Sequence, residues 1–597
     1  LNSDPAAPSS GTCEAPGSPG SRDLRGLLLR AWPALAAILS GVLLALCYPP
    51  FEIGALVWIW SAPLLAALWF SPAKRARDGF LLGYLAGLAF FGLSLSWLLE
   101  LSRVAGTAWA GIGALGSITL YLALYFGAFG AFAVTVGRWS PREPGAGAGA
   151  GAVGSSKGGL FAPSMEVLRA AFLNGAAWCG LEWLRGVVFG GFGWNGLGVA
   201  LVDQLLLLQF AEVVGINGYG FILMFCGIVA FGTVVRLGRE IKVRRRARPH
   251  LDFALGVGVV IGLFLHGITA VAKRPDETVT LRARIMQMNI PLEEKWSEDL
   301  TRLQRIIYDY RDLTRTFVEA SPHDLVLWPE TAIPGHFSFP WVQEYFNDHV
   351  LLGDDFYLLT GLEDSSLEGD EIYNTVTLMR GSTESYQMHH KTHLVPMGEY
   401  IPFRGRFPLF EWIGGGLIEN DFVAGDSYEP LLLEKDGVTI GIIPLICFED
   451  TMGRLTRRFV REAPQLIVNV TNDGWFYESA ESMQHFHNAI IRCIEVRRPM
   501  IRAANTGVSA FIDERGSVFE RDSRDRHPRI LRDEATGSTF IRGSLPAEVE
   551  IDLHPPTTVY ARIGDAPSVA LGLFALFAAG LRWLMRRRQR GGAERSR

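Results

Sequence analysis

The chain has 597 residues, 49% of them hydrophobic and only 20% charged, with a mean hydropathy of +0.20, which is more apolar than an ordinary soluble protein. Its 56 basic and 61 acidic side chains leave a net charge of −5, which excludes the basic surface that a nucleic-acid binder needs for phosphate contacts. Six cysteines with no CxxC pair exclude a disulfide framework and a Cys-rich zinc site, so a cysteine that matters does so as a thiol.

Residues 1–27, rich in Pro, Ser, Gly and Ala, lack an apolar run and read as a disordered tail, not a cleavable signal peptide. Runs long enough to cross about 30 Å of hydrocarbon follow near 31–48, 52–70, 79–99, 107–136, 165–185, 206–235 and 251–272, with an eighth near 566–585. Pro33, Pro49, Pro50 and Glu52 interrupt the first two, which leaves either two crossings or one re-entrant pair open. Glu182, in or at the end of the fifth run, is either a functional intramembrane charge or a snorkelling end residue. The stretch 145–159 reads as a flexible Gly/Ala-rich connector.

Basic residues recur in alternate links: Arg22, Arg25 and Arg30; Lys74, Arg75 and Arg77; Arg138, Arg142 and Lys157; Arg236, Arg239, Lys242 and Arg244; Arg586, Arg587 and Arg588. The intervening links carry little besides Arg103 and Arg185. The excess of Lys and Arg on cytoplasmic loops then predicts seven spans within 28–272, an eighth at 566–585, and cytoplasmic tails at 1–27 and 586–597. Residues 273–565 fall on the opposite, extracytoplasmic side.

From Thr278 the pattern changes to short β-branched runs: VTLRARIMQMN, DLVLWPE, DFYLLTG, NTVTLMR, VTIGIIPLIC, QLIVNVT, MIRAANTG, VSAFID and AEVEIDL. Helical periodicity near 300–320, 453–462 and 481–497 alternates with them, which predicts a layered α/β sandwich beside a multi-pass α-helical membrane domain.

Three short motifs place a reactive side chain where a strand gives way to a loop: LVLWPE ends at Glu330, HHKTHLVPMGEYIP contains Lys391 and Glu399, and IIPLICFED contains Cys447 and Glu449. A lone cysteine after an apolar strand is commonly a small buried hydrophobe. The carboxylates and the lysine change that reading. A thiol with a pKa near ~8.5 is mostly protonated at neutral pH and needs a base and a cation to act as a nucleophile. Glu330 can supply the base and Lys391 the cation, and the two together are expected to acidify the sulfur. Lys391, with the backbone N–H after the nucleophile, can also steady the oxyanion of a tetrahedral intermediate.

The segments WPETAIP, KTHLVPMGEYIP and CFED resemble the Glu–Lys–Cys signature of the carbon–nitrogen hydrolase, or nitrilase, superfamily. Together with the eight runs, QMNIPLEEKW and NVTNDGWF, the chain is similar over nearly its whole length to the bacterial apolipoprotein N-acyltransferases. The resemblance implies a four-layer αββα domain in the periplasm, on a multi-pass protein of the bacterial inner membrane. It implies transfer of an acyl chain from a phospholipid to the amino group of the diacylglyceryl-cysteine of an apolipoprotein, without a cofactor. Glu330 is then the general base, Lys391 the oxyanion-stabilising cation and Cys447 the nucleophile; Trp296, Glu399 and Glu449 match further family positions. Two departures stand out. Phe448 replaces the Tyr that often follows the nucleophile, and Met288 replaces the Gly of the family's Q-G-N segment.

Other signals carry less. Asn374, Asn472 and Trp475 sit near strand ends and either shape a pocket or pack the core. The segment 407–418, with Phe407, Phe410 and Trp412 beside three glycines, reads either as a lid dipping into the bilayer or as a packed loop. His389, His390 and His393 lack spaced partner ligands, so no metal is expected. His485 and His487 read as packing or hydrogen-bonding groups, and Cys493 as a buried thiol. The rival activity is a membrane-anchored amidase that hydrolyses a C–N bond and hands its acyl group to water.

Overall fold

A computed structural model describes residues 19–140, 161–242, 249–295, 299–366, 371–406, 420–520 and 528–595. The expected tail at 1–27 lies largely outside these residues, as do the connector at 145–159, Trp296 and the 407–418 segment with Phe407, Phe410 and Trp412.

Helices occupy the apolar runs: α1 (Pro19–Ala45), α2 (Ser61–Phe70), α3 (Ala76–Ser94), α4 (Ala108–Thr135), α5 (Ala162–Arg185), α6 (Ala211–Lys242), α7 (Leu251–Ala272) and, at the far end, α10 (Ala566–Arg595). Among the described residues five stretches are long and apolar enough to cross a bilayer, those of α3, α4, α6, α7 and α10, while 30–45 and 54–70 are shorter apolar pieces. The count of eight full spans is therefore not met by length and apolarity alone. The second run illustrates why: it is broken into a 3₁₀ turn at Gly54–Trp58 and the ten-residue α2. Close packing depends on small residues. A Cβ at Gly83 of α3 would stand 2.1 Å from the Phe126 carbonyl oxygen of α4, so glycine is what lets these backbones touch.

Among the described residues eleven strands follow, β1 (Thr278–Gln287), β2 (Leu325–Leu327), β3 (Tyr357–Ser365), β4 (Ile372–Arg380), β5 (Ser382–His390), β6 (Leu431–Lys435), β7 (Val438–Ile446), β8 (Gln465–Thr471), β9 (Met500–Ala504), β10 (Ala510–Ile512) and β11 (Gly543–Asp552). They form two sheets, ordered β11-β1-β2-β3-β4-β5 and β10-β9-β8-β7-β6. Each is built on three parallel strands, β1, β2, β3 and β7, β8, β9, with antiparallel strands at the margins. Their facing sides meet in one apolar core that includes Leu281, Ile285, Leu327, Leu359, Ile442, Ile446, Val468 and Ile501. β5 and β6, absent from the run of strands read from the sequence, each form one edge of a sheet. The polar, half-exposed text of β5 and the short LLLEK of β6 carry none of the continuous apolar signal of a strand buried on both faces, such as β8.

α8 (Leu300–Ala320) covers the first sheet. It opens at Asp299, whose carboxylate accepts the Thr301 N–H at 2.9 Å, a helix N-cap. The second sheet is covered by α9 (Glu481–Val496), which ends where Arg497 turns left-handed at φ 53°. The helix periodicity near 453–462 yields only a short helix at Gly453–Thr456 and a 3₁₀ turn at Arg457–Phe459. Every residue of α9 from Gln484 onward is buried, because its inner side faces Ile443, Leu445 and Ile467 while its outer side faces the helical bundle. One apolar cluster runs without a break from Leu64, Phe90 and Trp178 of the bundle to Phe486, Ile490 and Ile494 of α9.

Candidate active site

Glu330, Lys391 and Cys447 come from three strand ends and converge at one edge of the sandwich. Glu330 follows β2, in a segment that continues alongside β3 through Trp328 N–H to Leu359 O (2.9 Å) and Ala332 N–H to Gly361 O (2.9 Å). Gly361 is required there: a Cβ would stand 2.6 Å from the Glu330 Cα. Lys391 follows β5, and its backbone N–H donates to the Asn374 carbonyl at 2.8 Å. Cys447 ends β7 and starts a 3₁₀ turn, Cys447–Thr451, with φ at 52°. A non-glycine residue in that region stores strain that its surroundings must sustain. The Asn469 amide does part of this, donating to the Cys447 carbonyl at 3.1 Å.

The lysine sits between carboxylates. Its Nζ lies 2.8 Å from Glu399 Oε1 and 3.8 Å from Glu330 Oε1, with only 1% of the side chain exposed. Asn374 Nδ2 donates to both carboxylates, at 2.8 Å to Glu330 and 2.9 Å to Glu399, and the second Glu399 oxygen accepts the Val395 N–H at 2.8 Å. Burial alone would push the Lys391 pKa down, but Glu399 and then Glu330 outweigh it, so the ammonium is held charged. Burial also raises the Glu330 carboxyl, against the pull of Lys391.

Cys447 departs from the sequence expectation. Burial, then the Glu330 charge, push its thiol well above the ordinary range, and Lys391 and the Thr471 hydroxyl only partly offset them. The resting sulfur is a thiol with a base beside it, not a preformed thiolate. The physical reason is burial first and the neighbouring Glu330 charge second, which together outweigh the lysine.

Glu449 is a brace. One oxygen accepts the Thr392 N–H (2.8 Å), the Thr392 hydroxyl (2.9 Å) and the His393 N–H (2.9 Å), and the other accepts the Ile446 N–H (2.9 Å). It ties the loop after Lys391 to the residue before the nucleophile. Phe448 faces the membrane domain, stacked at 11° to Trp194 with ring centres 6.1 Å apart and at 20° to Phe192. Trp475 lies half-buried in a short 3₁₀ turn, Asp473–Phe476, and the Asn472 side chain caps that turn by accepting the Gly474 N–H. Met288 is buried in the core beneath α8.

Sequence reasoning missed Lys295. Its Nζ donates to the carbonyls of Thr331 (2.9 Å) and Glu330 (3.3 Å), and burial lowers its pKa to about 8 against the pull of Glu330 and Glu363. QMNIPLEEKW contained the only signal, and nothing in one sequence distinguishes this lysine from a surface one. His485, read from the sequence as a packing or hydrogen-bonding group, does hydrogen-bond: it lies 2.8 Å from Asp450 and 3.0 Å from Asp473, and Asp473 is 3.4 Å from Arg502. Burial would lower the histidine, but the two carboxylates carry its pKa to about 10. Among the described residues Asp473, Glu481 and His485 are close enough to share an ion, yet the Arg502 guanidinium and the imidazolium already supply positive charge there. His389 and His393 are pushed down by burial to about 4.

An αββα sandwich with a Cys, a Glu and a Lys at its strand ends defines a carbon–nitrogen hydrolase domain, and residues 282–527 match the family described as Carbon-nitrogen hydrolase. Residues 40–229 match the Apolipoprotein N-acyltransferase N-terminal domain. Relatives named apolipoprotein N-acyltransferase include those of Geobacter metallireducens, 31% identical over 81% of this chain and 86% of that one, and Caulobacter vibrioides, 30% identical over 82% and 86%. The chain belongs to the apolipoprotein N-acyltransferase family. Solved structures similar to it include a carbon–nitrogen hydrolase of Helicobacter pylori, 14% identical over 45% of this chain and 88% of that one with a TM-score of 0.30. A Nesterenkonia amidase from the nitrilase superfamily is 15% identical over 49% and 98%, with a TM-score of 0.32.

Proposed function

We propose that this chain moves an acyl chain from a phospholipid to the amino group of a diacylglyceryl apolipoprotein, in two steps through a thioester on Cys447. Glu330 takes the thiol proton as the sulfur attacks the ester carbonyl, and Lys391 with the Phe448 backbone N–H steadies the oxyanion. The C–O bond then breaks, Glu330 returns its proton to the departing alkoxide, and a lysophospholipid leaves. The acceptor amine, with a pKa near ~8 and partly unprotonated at neutral pH, attacks the thioester. Glu330 takes the amine proton, the C–S bond breaks, and the amide and the free thiol result.

Supporting this reading is the single observation that Cys447 is within electrostatic reach of the buried Glu330 carboxylate and the buried Lys391 ammonium, while the next residue, Phe448, belongs to the apolar cluster continuous with the helical bundle. Donor and acceptor both carry chains that stay in the bilayer, each buried CH₂ being worth about 0.8 kcal/mol. A site that meets them at its surface needs the apolar helices. In this reading residues 273–565 face the periplasm, both termini face the cytoplasm, and 28–272 with 566–585 anchor the enzyme in the inner membrane. The amidase rival is separated by the acceptor. Intact-mass analysis of Cys447 after exposure to phospholipid should show an added acyl chain that a lipopeptide amine discharges, with Cys447→Ala abolishing both. Release of free acid at the same rate with and without the amine would instead establish a hydrolase.

A further inference from the structure

Gln484 makes five side-chain hydrogen bonds across the boundary between the sandwich and the helical bundle. Its Oε1 accepts from Trp194 Nε1 at 2.8 Å, Asn195 Nδ2 at 3.0 Å and Trp97 Nε1 at 3.1 Å. Its Nε2 donates to the carbonyls of Pro49 at 2.8 Å and Ser94 at 3.0 Å. These partners come from the turn after α1, the end of α3, the 3₁₀ turn after it and the loop between α5 and α6. The amide can sit only one way round, since the flipped form would set its NH₂ against the two indole donors and its oxygen against two carbonyls. No other side chain supplies that pattern of acceptor and donors at that reach.

The next residue faces the other way. Consecutive helix residues point ~100° apart, and His485 turns to Asp450, three residues past Cys447, and to Asp473. The Thr471 hydroxyl donates to that same Asp473 carboxylate at 3.1 Å and lies against the Cys447 thiol. Trp194, one of the donors to Gln484, also lies 5.4 Å from the His485 ring and stacks on Phe448.

We infer that Gln484 is a positioning residue: by gripping four segments of the membrane bundle it fixes α9, and through His485 fixes the Cys447 turn for reaction with membrane-bound donor. The inference rests on the reading of Cys447 as nucleophile. Its content is that nucleophile geometry depends on the membrane domain through one saturated amide, not only on Glu330 and Lys391.

The test uses full-length protein in nanodiscs of phosphatidylethanolamine and phosphatidylglycerol, with acyl loading of Cys447 followed by intact mass and rates expressed per folded enzyme. Gln484→Met should lower the maximal loading rate at least tenfold while the KM for phospholipid stays within twofold. Trp194→Phe, which removes one donor and keeps a ring against Phe448, should show the same split at three- to tenfold, and serves if Gln484→Met does not fold. A loading rate within twofold of wild type in both Gln484→Met and Trp194→Phe would overturn the inference, as would a loss confined to KM. Wild type that turns over with no acyl group on Cys447 would instead overturn the nucleophile reading, which keeps the two failures apart.

Discussion

Glu330 has to be ionised to accept a proton from a thiol that burial keeps protonated. Because its own pKa is raised, the loading rate should fall as pH drops through a value above the ordinary carboxylate value of about 4.3. Glu330→Gln should lose that acid limb and cost roughly 10²- to 10⁴-fold in rate, read by acyl mass on Cys447 across pH; a retained acid limb would show that another group titrates. His485 makes a second prediction, in stability. Its folded pKa of about 10 exceeds the ordinary value of about 6.5, so its contribution is present in full below about 6.5 and is lost as pH rises through about 10. The groups that face it are Asp450, Asp473, Glu481 and Arg502. Thermal unfolding in detergent should therefore weaken between these limits in wild type, and His485→Gln should be less stable at pH 6 with a smaller slope above it. An unchanged slope would place the proton elsewhere.

Strand ends set the site, and their supports can be removed singly. Gly361→Ala drives a Cβ into the Glu330 backbone, so the loop must shift, and a displacement of about 1 Å costs on the order of 10²-fold in rate. The loss should appear in kcat with lipid affinity retained, and a variant with normal kcat would mean the loop yields harmlessly. Glu449→Gln replaces one acceptor oxygen by a donor where four protein donors converge. At about 1.5–3 kcal/mol for a hydrogen bond to a charged group, loading should fall roughly tenfold to a hundredfold while Cys447 remains alkylatable in the folded protein.

At the scale of the molecule, the outer side of α9 is part of the same apolar cluster as the bundle. Residues 273–565 expressed alone would uncover Phe448 and Phe476, whose rings pack on Trp194 and Trp97 of the bundle, each worth about 1.5–3 kcal/mol when buried, beside the Gln484 side of α9. The isolated segment should associate or require detergent on size-exclusion chromatography; a monodisperse, detergent-free monomer would refute this. Phe448 belongs to the same boundary. Its place in the stack with Trp194 and Phe192 accounts for a ring there without a hydroxyl.

Local signals carried much of this protein. Run length and the absence of charge exposed the apolar helices, alternation of β-branched runs exposed nine of the strands, and three motifs at strand ends exposed Glu330, Lys391 and Cys447, because each depends on residues adjacent in the chain. Other features were decided only by folding: the broken second run, the edge strands β5 and β6, the protonated state of the Cys447 thiol, Lys295 beside Glu330, and the grip of Gln484 on segments far from it in sequence. Each of these follows from which distant groups come within hydrogen-bonding or electrostatic reach, and from how much water burial removes, and no local period or spacing encodes either quantity.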